Sequence, residues 1–154
     1  MSLPIDPTQL TDEDIGEEQV TLAMDHEDAI EFVRECCLEA GFGIPVEFSP
    51  SDMLNEKVDA DRDPYYVLGA CNPKMANRAL ALSEKQIGAL FPCNMIIWEK
   101  EPGRQQVYHV SIMRVARLAG MAPDNDEWAD LVAATGDLVD TCFEQLRAEA
   151  VDTD

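Results

Sequence analysis

The sequence predicts an α+β domain built from a largely antiparallel sheet with helices packed on one face. Three observations lead to this prediction. Short apolar or alternating segments, which indicate strands, are interleaved with stretches whose apolar residues recur at helical spacing. The spacers between these segments are short. One of them carries Pro102-Gly103, which is typical of a type II turn and therefore of a hairpin. The order strand, helix, strands, helix, strands, helices fits a single domain over residues 17–148.

The strands are predicted from alternation and from apolar runs. Pro45 places the second strand at an edge or makes it a strand start, because proline cannot donate a ladder hydrogen bond. The third strand is apolar throughout and is therefore expected at the centre of the sheet. The hairpin around Pro102-Gly103 is expected to have a loop longer than two residues. The predicted strands are residues 18–24, 44–48, 65–70, 94–99 and 105–113.

The helices are predicted from their caps and their apolar stripes. Asp25 suits an N-cap, with Glu27 and Asp28 in the first turn. Pro73 suits the first turn of another helix, where its missing N–H is harmless. Gly136 lies inside the last helix, at a cost of about 1 kcal/mol relative to alanine. The predicted helices are residues 26–40, 49–58, 73–82, 116–121 and 128–146.

Both ends of the chain are polar. Residues 1–16 contain two prolines and four acidic residues and little that could form a core, so we expect a mobile or loosely docked arm. They lack the basic and apolar regions of a signal peptide. Residues 149–154 are expected to form a polar tail.

The charge is strongly acidic. The chain has 31 acidic and 11 basic residues, a formal net charge of -20 and only four lysines. Disorder is excluded for most of the chain by its apolar runs. Acidic residues spread over an intact core favour adaptation to molar salt, where the Debye length falls to about 3 Å. Nucleic acids and anionic membranes are disfavoured as partners, since both are bound through Lys and Arg.

The sequence predicts a cytoplasmic protein whose cysteines are thiols or ligands. No apolar run approaches the roughly 18 residues of a membrane span. The five cysteines are an odd number, which argues against a framework of disulfides.

Two similar cysteine motifs predict the functional site. Cys71-Asn72-Pro73 follows an apolar strand, and Pro92-Cys93-Asn94 precedes another. Strand ends are where folds commonly place binding and catalytic residues. Asn72 and Asn94 can fix turns or offer donors and acceptors to a ligand. Lys57, one of few lysines, is a candidate for pairing with an acidic ligand.

The competing interpretation is that both cysteines are small buried apolar residues. The spacing does not match a metal signature, because no C-x-x-C or H-x-x-x-H is present and the histidines are only His26 and His109. His109 is interpreted as a hydrogen-bonded structural histidine, and Trp98 as a core or dimer contact. Cys36 and Cys142 are expected in the core, with Cys37 on the flank of its helix.

The segment from Tyr65 to Glu99 resembles the family called domain of unknown function 302. The matching residues are Leu68-Gly69-Ala70-Cys71-Asn72-Pro73, Ala76, Ala79-Leu80, Phe91-Pro92-Cys93-Asn94 and Glu99, with Lys57 and Gly41-Phe42-Gly43 upstream. The resemblance covers roughly residues 18–112. It implies a β-α-β(4)-α fold, similar to one repeat of the TATA-binding-protein architecture, with an additional C-terminal helix in this chain. It also implies a homodimer, but no established activity.

Three functions remain open from the sequence. The first is the binding of a small ligand, metal or cofactor by a pocket containing Cys71, Asn72, Cys93, Asn94 and Lys57. Thiolates at Cys71 and Cys93 would suit a soft metal ion (zinc, copper(I) or iron) or a haem. The second is thiol redox chemistry, which needs a cysteine with a depressed pKa and solvent access. The third is a non-catalytic dimeric interaction module in which the cysteines simply pack.

Overall fold

The chain forms one six-stranded sheet in which every neighbouring pair of strands is antiparallel. The computed structural model describes residues 5–151. The strand order is β2-β3-β4-β5-β1-β6. The strands are β1 (Glu18–Leu22), β2 (Gly43–Phe48), β3 (Tyr65–Cys71), β4 (Cys93–Glu101), β5 (Arg104–His109) and β6 (Ala150–Val151). The predicted α+β class and antiparallel sheet are confirmed.

Five α-helices accompany the sheet. They are α1 (His26–Ala40), α2 (Pro50–Val58), α3 (Pro73–Leu82), α4 (Ile112–Leu118) and α5 (Asp126–Ala148). Short 3₁₀ segments occur at Pro7–Gln9 and Gln86–Leu90. No helix within residues 5–151 combines the length and the apolarity that crossing a bilayer requires.

The main core lies between one face of the sheet and the helices α1 and α5. Alternate residues of the strands, such as Leu68, Met95 and Val107, point into it and are buried. Phe143 of α5 is fully buried among them. A second buried cluster, which includes Trp128, joins α5 to α3, α4 and the 3₁₀ segment Gln86–Leu90. The helices therefore cover one face of the sheet, as the sequence predicted.

The β4–β5 hairpin is tighter than expected. Glu101 pairs with Arg104, so the loop consists of Pro102 and Gly103 alone. Gly103 has φ 82°, the value that the third position of a type II turn requires. The prediction of a longer loop was wrong, because an irregularity between Glu99 and Glu101 restores the register that a two-residue turn needs.

The fifth strand ends earlier, and α4 begins earlier, than the sequence predicted. β5 ends at His109, and Ser111 caps α4 by accepting a hydrogen bond from the backbone N–H of Arg114 at 3.2 Å. Serine at the N-cap stabilises a helix start. The expected strand over residues 105–113 is therefore divided between β5 and α4, which places His109 beside the start of a helix.

The described parts of both terminal segments contact the domain. The backbone N–H of Ser111 donates to the carbonyl of Ile15 at 2.8 Å, and Arg114 Nη1 donates to the carbonyl of Glu13 at 3.3 Å. Ala150–Val151, expected in a polar tail, forms β6 and pairs with β1. The remaining residues of the predicted arm and tail, 1–4 and 152–154, lie outside the described residues.

Candidate functional site

A cavity of about 340 Å³ lies between the helix-covered face of the sheet and the helices α4 and α5. The ends of β4 and β5 contribute Cys93 and His109 to its wall. Helix α5 contributes Thr135 and Gly136, and its mouth includes residues that precede and begin β1. Ligand sites in proteins are typically clefts of this size or somewhat larger. The cavity is therefore the candidate site.

His109 presents an unused hydrogen-bond acceptor to this cavity. Its Nδ1 lies 3.0 Å from the backbone carbonyl of Asn94. Because a carbonyl can only accept, Nδ1 carries the proton, and Nε2 of the neutral ring bears a lone pair. His109 is only 3% exposed, yet no fully buried side-chain nitrogen or oxygen among residues 5–151 lacks a partner. Nε2, which has no partner there, must therefore touch the cavity that His109 lines.

The ring of His109 is neutral at pH 7. Burial lowers its pKa, and the hydrogen bond to the carbonyl of Asn94 opposes this shift without reversing it. The ring also packs near Phe143, with 6.3 Å between the ring centroids. The orientation of His109 is therefore held from two sides, while its acceptor remains available.

Cys93 forms a wall shared by the cavity and a narrow crevice. The crevice has a volume of about 20 Å³ and is lined by Cys71, Asn72 and Cys93 among others. That volume holds about one water molecule, so there is no room for a haem between the two cysteines. Burial raises the pKa of the Cys93 thiol to about 12, and the nearby Cys71 adds to the shift. The Cys93 thiol is therefore protonated at neutral pH.

The space beside Gly136, on the side of α5 that faces the cavity, is unoccupied. A Cβ placed there would meet no heavy atom within 4 Å. The neighbouring Thr135 is buried, and its hydroxyl donates to the carbonyl of Leu131 at 3.0 Å, within its own helix. A larger side chain at Gly136 would therefore extend into the cavity without first displacing a neighbour.

A family model described as "Domain of unknown function DUF302" matches residues 18–146 of the chain, which is more than half of its length. The chain belongs to the DUF302 family. The resemblance carried by Cys71-Asn72-Pro73 and Pro92-Cys93-Asn94 is thereby confirmed.

The fold is shared with a solved member of the DUF302 family. This is the crystal structure of an uncharacterized conserved DUF302 protein from Bacillus stearothermophilus, with a TM-score of 0.71 and 21% sequence identity. The match covers 84% of this chain and 96% of that one. At this identity the likeness establishes the fold alone. A comparison with curated proteins found no match.

Of the residues predicted for the site of this DUF302 domain, Cys71 and Cys93 lie together at the crevice. Both are free thiols and both are partly accessible. Asn72 lies beside them, but its side chain is occupied. Its Oδ1 accepts from the backbone N–H of Met75 at 3.1 Å, and its Nδ2 donates to the carbonyl of Gly41 at 3.0 Å. Asn72 thus caps α3 and ties it to the end of α1.

The side chains of Asn94 and Lys57 are not brought to the cavity. Asn94 is exposed and pairs with Gly69, on the face of the sheet opposite to that of its neighbours Cys93 and Met95. Asn94 serves the site through its backbone carbonyl, which holds His109. Lys57 is exposed near the end of α2, and α2 packs beside the start of β3, whereas Cys71 ends that strand.

The described part of the DUF302 domain contains no metal cluster. Within residues 5–151, no group of three or more His, Cys, Asp or Glu side chains is arranged to hold an ion. The two cysteines at the crevice therefore have no third ligand of these types, and the metal and haem expectations gain no support from the geometry.

The remaining cysteines lie in the core between α1 and α5. Cys37 is fully buried rather than on the helix flank, and its Sγ lies 3.8 Å from Sγ of Cys142. The hydrogen bond to Cys37, followed by burial, raises the pKa of Cys142. Burial raises the pKa of Cys36 to about 12. Cys36 and Cys142 pack in the core as the sequence predicted, and Cys37 packs there with them.

Sequence reasoning missed His109 and Gly136 as parts of a site. His109 was expected to be structural, and its Nδ1 does have that role. Only the position of Nε2 against the cavity makes it a candidate binding group. Gly136 did provide a signal, because a glycine inside a helix is unfavourable and often has a packing or functional reason.

Proposed function

We propose that this chain is a small-ligand-binding domain whose site is the cavity between His109 and Gly136. The observation that carries the proposal is the unpartnered Nε2 of His109 in the wall of a cavity of about 340 Å³. Because Nε2 touches the cavity with a free lone pair, a ligand that enters the cavity can donate a hydrogen bond to it. The site lies on the side of Cys93 away from Cys71, rather than between the two cysteines.

Thiol redox chemistry is less well supported as the function of the same region. A nucleophilic thiol needs a depressed pKa. Burial instead raises the pKa of Cys93 to about 12. We therefore assign Cys93 to the wall of the ligand site, with its sulfur as a polarizable contact surface.

The test is to fill the cavity from α5. Gly136→Leu places a side chain in the cavity, whereas Ala133→Leu adds the same side chain at an exposed position of the same helix. The probes are indole, tryptophol, tryptamine and indole-3-acetate, with binding measured by ligand-observed NMR. We expect at least one probe to bind the wild type and Ala133→Leu and to lose its binding to Gly136→Leu.

Two results would contradict the proposal. One is that no probe binds the wild type, and the other is that the bound probes bind Gly136→Leu equally well. Circular dichroism of both variants checks that they fold, so that a loss of binding reports on the cavity.

A second candidate function, a homodimeric interaction module, is favoured by the uncovered face of the sheet. Val46 and Phe48 are 55% and 51% exposed on it. Tyr65 stacks on Trp98 there, with 6.1 Å between the ring centroids, and Tyr108 lies against the other side of Trp98 at 6.2 Å. Exposed apolar surface of this kind commonly marks an interaction site.

The centre of the same face is uncharged, although the chain has a net charge of -20. Charged side chains lie at its margins: Glu17 beside Tyr108, and Lys100 and Arg104 near the hairpin. In the register of the sheet, its uncharged paired positions are Gln19, Thr21, Val46, Phe48, Tyr65, Val67, Gly69, Asn94, Ile96, Trp98, Gln106 and Tyr108. Two copies of so acidic a chain repel one another except where they meet through uncharged surface. The face is therefore suited to a second copy of this chain, in agreement with the homodimer that the family resemblance implies.

A further inference from the structure

The candidate cavity has an apolar interior and an acidic mouth. Apolar lining is provided by Phe42, Ile112, Met113, Val132 and Val139. The charged residues that line the cavity, His109 aside, are Glu13, Glu17, Glu18, Asp140 and Arg114. Four acidic residues and one arginine leave the mouth with an excess of negative charge.

The charged residues at the mouth are partly engaged. Glu18 forms an ion pair with Arg147, which lies outside the cavity lining. The Glu17 carboxylate accepts hydrogen bonds from the Tyr108 hydroxyl at 2.7 Å and from the Gln19 side-chain amide at 2.9 Å, two residues on the opposite face of the sheet. Glu13 and Asp140 are exposed. The carboxylates of Glu17 and Glu18 are therefore engaged by other side chains, and those of Glu13 and Asp140 remain to attract a cation.

His109 offers the cavity an acceptor rather than a donor. Nδ1 of His109 donates to the carbonyl of Asn94, so the lone pair on Nε2 is the group that meets a ligand. The ring is buried and neutral, and protonating it would place a charge in an apolar space. A ligand that donates an N–H to Nε2 satisfies it without that cost.

We propose that the cavity binds an organic amine with an apolar ring-sized body. Its ammonium group lies among the acidic residues of the mouth, and an N–H of its body donates to Nε2 of His109. This inference rests on the proposed function, because it assigns a ligand class to the same cavity.

An anionic ligand of equal size does not fit this arrangement. Arg114 is the only lysine or arginine that lines the cavity within residues 5–151. Its guanidinium already donates to the carbonyl of Glu13 at 3.3 Å. A carboxylate at the mouth would face several like charges, and in the interior it would meet a lone pair on Nε2 that cannot donate.

The test compares probes that share an indole body and differ in side-chain charge. Tryptamine is a cation, tryptophol is neutral, and indole-3-acetate is an anion. Dissociation constants are measured by titration calorimetry at the lowest KCl concentration at which circular dichroism finds the chain folded. We expect tryptamine to bind about tenfold or more tightly than indole-3-acetate, and this preference to shrink in molar KCl, where the Debye length is about 3 Å.

Variants at the two ends of the cavity separate the two contacts. In the double variant Glu13→Gln with Asp140→Asn, tryptamine should lose several-fold in affinity and tryptophol should be unchanged. His109→Phe keeps a ring but removes the acceptor, so the binding of tryptamine and of tryptophol should both weaken by about tenfold.

1-Methyltryptamine, which lacks the ring N–H, should bind the wild type about tenfold more weakly than tryptamine does. That comparison needs no variant and remains available should His109→Phe not fold.

The outcomes distinguish this inference from the proposed function. Equal binding of the three probes, or tighter binding of indole-3-acetate, overturns the amine while leaving a ligand-binding cavity. Equal affinity of tryptamine and 1-methyltryptamine for the wild type overturns the contact to His109. Absence of binding by every probe overturns both the inference and the proposed function.

Discussion

At the scale of single residues, the thiol of Cys93 makes the free energy of unfolding depend on pH in the alkaline range. The pKa of its thiol is about 12 in the folded chain, against 9.0 for an ordinary thiol, chiefly because of burial. The folded state therefore holds the proton more tightly than the unfolded state. Its contribution to the free energy of unfolding is complete below about pH 9 and declines as the pH rises from about 9 to about 12.

We expect the free energy of unfolding to fall more steeply with pH for the wild type than for Cys93→Ala. The difference in slope should approach about 1.4 kcal/mol per pH unit once the unfolded thiol has ionised. Urea unfolding at several values between about pH 8 and about pH 10 measures it. Alanine in place of cysteine lowers the free energy of unfolding by the same amount at every pH, so it does not affect the comparison of slopes. Equal slopes for the two proteins would show that Cys93 is not a desolvated thiol.

At the scale of elements, β2 and β3 approach each other closely at Gly69. A Cβ at Gly69 would lie 2.6 Å from Cγ of Pro92, 2.7 Å from Cγ2 of Val46 and 2.9 Å from the Val46 carbonyl oxygen. The last of these is backbone, so relief requires movement of the strand itself. Gly69 thus allows β2, β3 and the segment before β4 to approach closely at the end of the sheet that carries Cys93.

Gly69→Ala should therefore destabilise the fold by about 1–3 kcal/mol. The matched control is Gly43→Ala on β2, where the nearest heavy atom to the new Cβ, the Cys71 carbonyl oxygen, is at 3.7 Å, an ordinary contact distance. Urea unfolding of both variants checks this expectation. Equal stabilities would mean that the strands can separate at Gly69 without cost.

At the scale of the whole molecule, the uncharged centre of the sheet face opposite α1 and α5 predicts self-association. Phe48→Glu places a charge on this face and should raise the dimer dissociation constant by about tenfold or more, since it buries a carboxylate without a partner. Leu38→Glu is the control, because Leu38 is 52% exposed on α1, which packs on the helix-covered face. Sedimentation velocity in molar KCl gives the association state. A wild type that stays monomeric, or equal effects of the two variants, would contradict the dimer.

Local chemistry made most of the fold predictable. The helix-start signals at Asp25 and Pro73 and the turn at Pro102-Gly103 involve residues within a few positions of one another, and the structure has helix starts and a hairpin there. The end of β5 was misplaced because residues 110–113 are apolar enough for a strand, while the Ser111 cap selects a helix. The strand β6 could not be foreseen, since two residues have no pattern and depend on the free edge of β1.

The candidate site was only partly predictable. Cys93 was predicted as a site residue because its motif marks a strand end, and it lines the cavity. The side chains of Asn94 and Lys57 do not line the cavity, for two different reasons. Asn94 is adjacent to Cys93, and alternation along a strand sends adjacent side chains to opposite faces. Lys57 is placed by the packing of α2 beside the start of β3, which no pattern near Lys57 reveals.

By itself, the sequence determined the class of the fold, most of its helices and strands, the family, and the strongly acidic character of a chain with net charge -20. These depend on composition and on contacts between residues that are close along the chain. Only the tertiary structure decided that His109, Cys93 and Gly136 share one cavity and that the opposite face of the sheet is apolar and uncovered. The physical reason is that these features join residues from separate elements, whose meeting is fixed by strand order and helix packing rather than by any local preference.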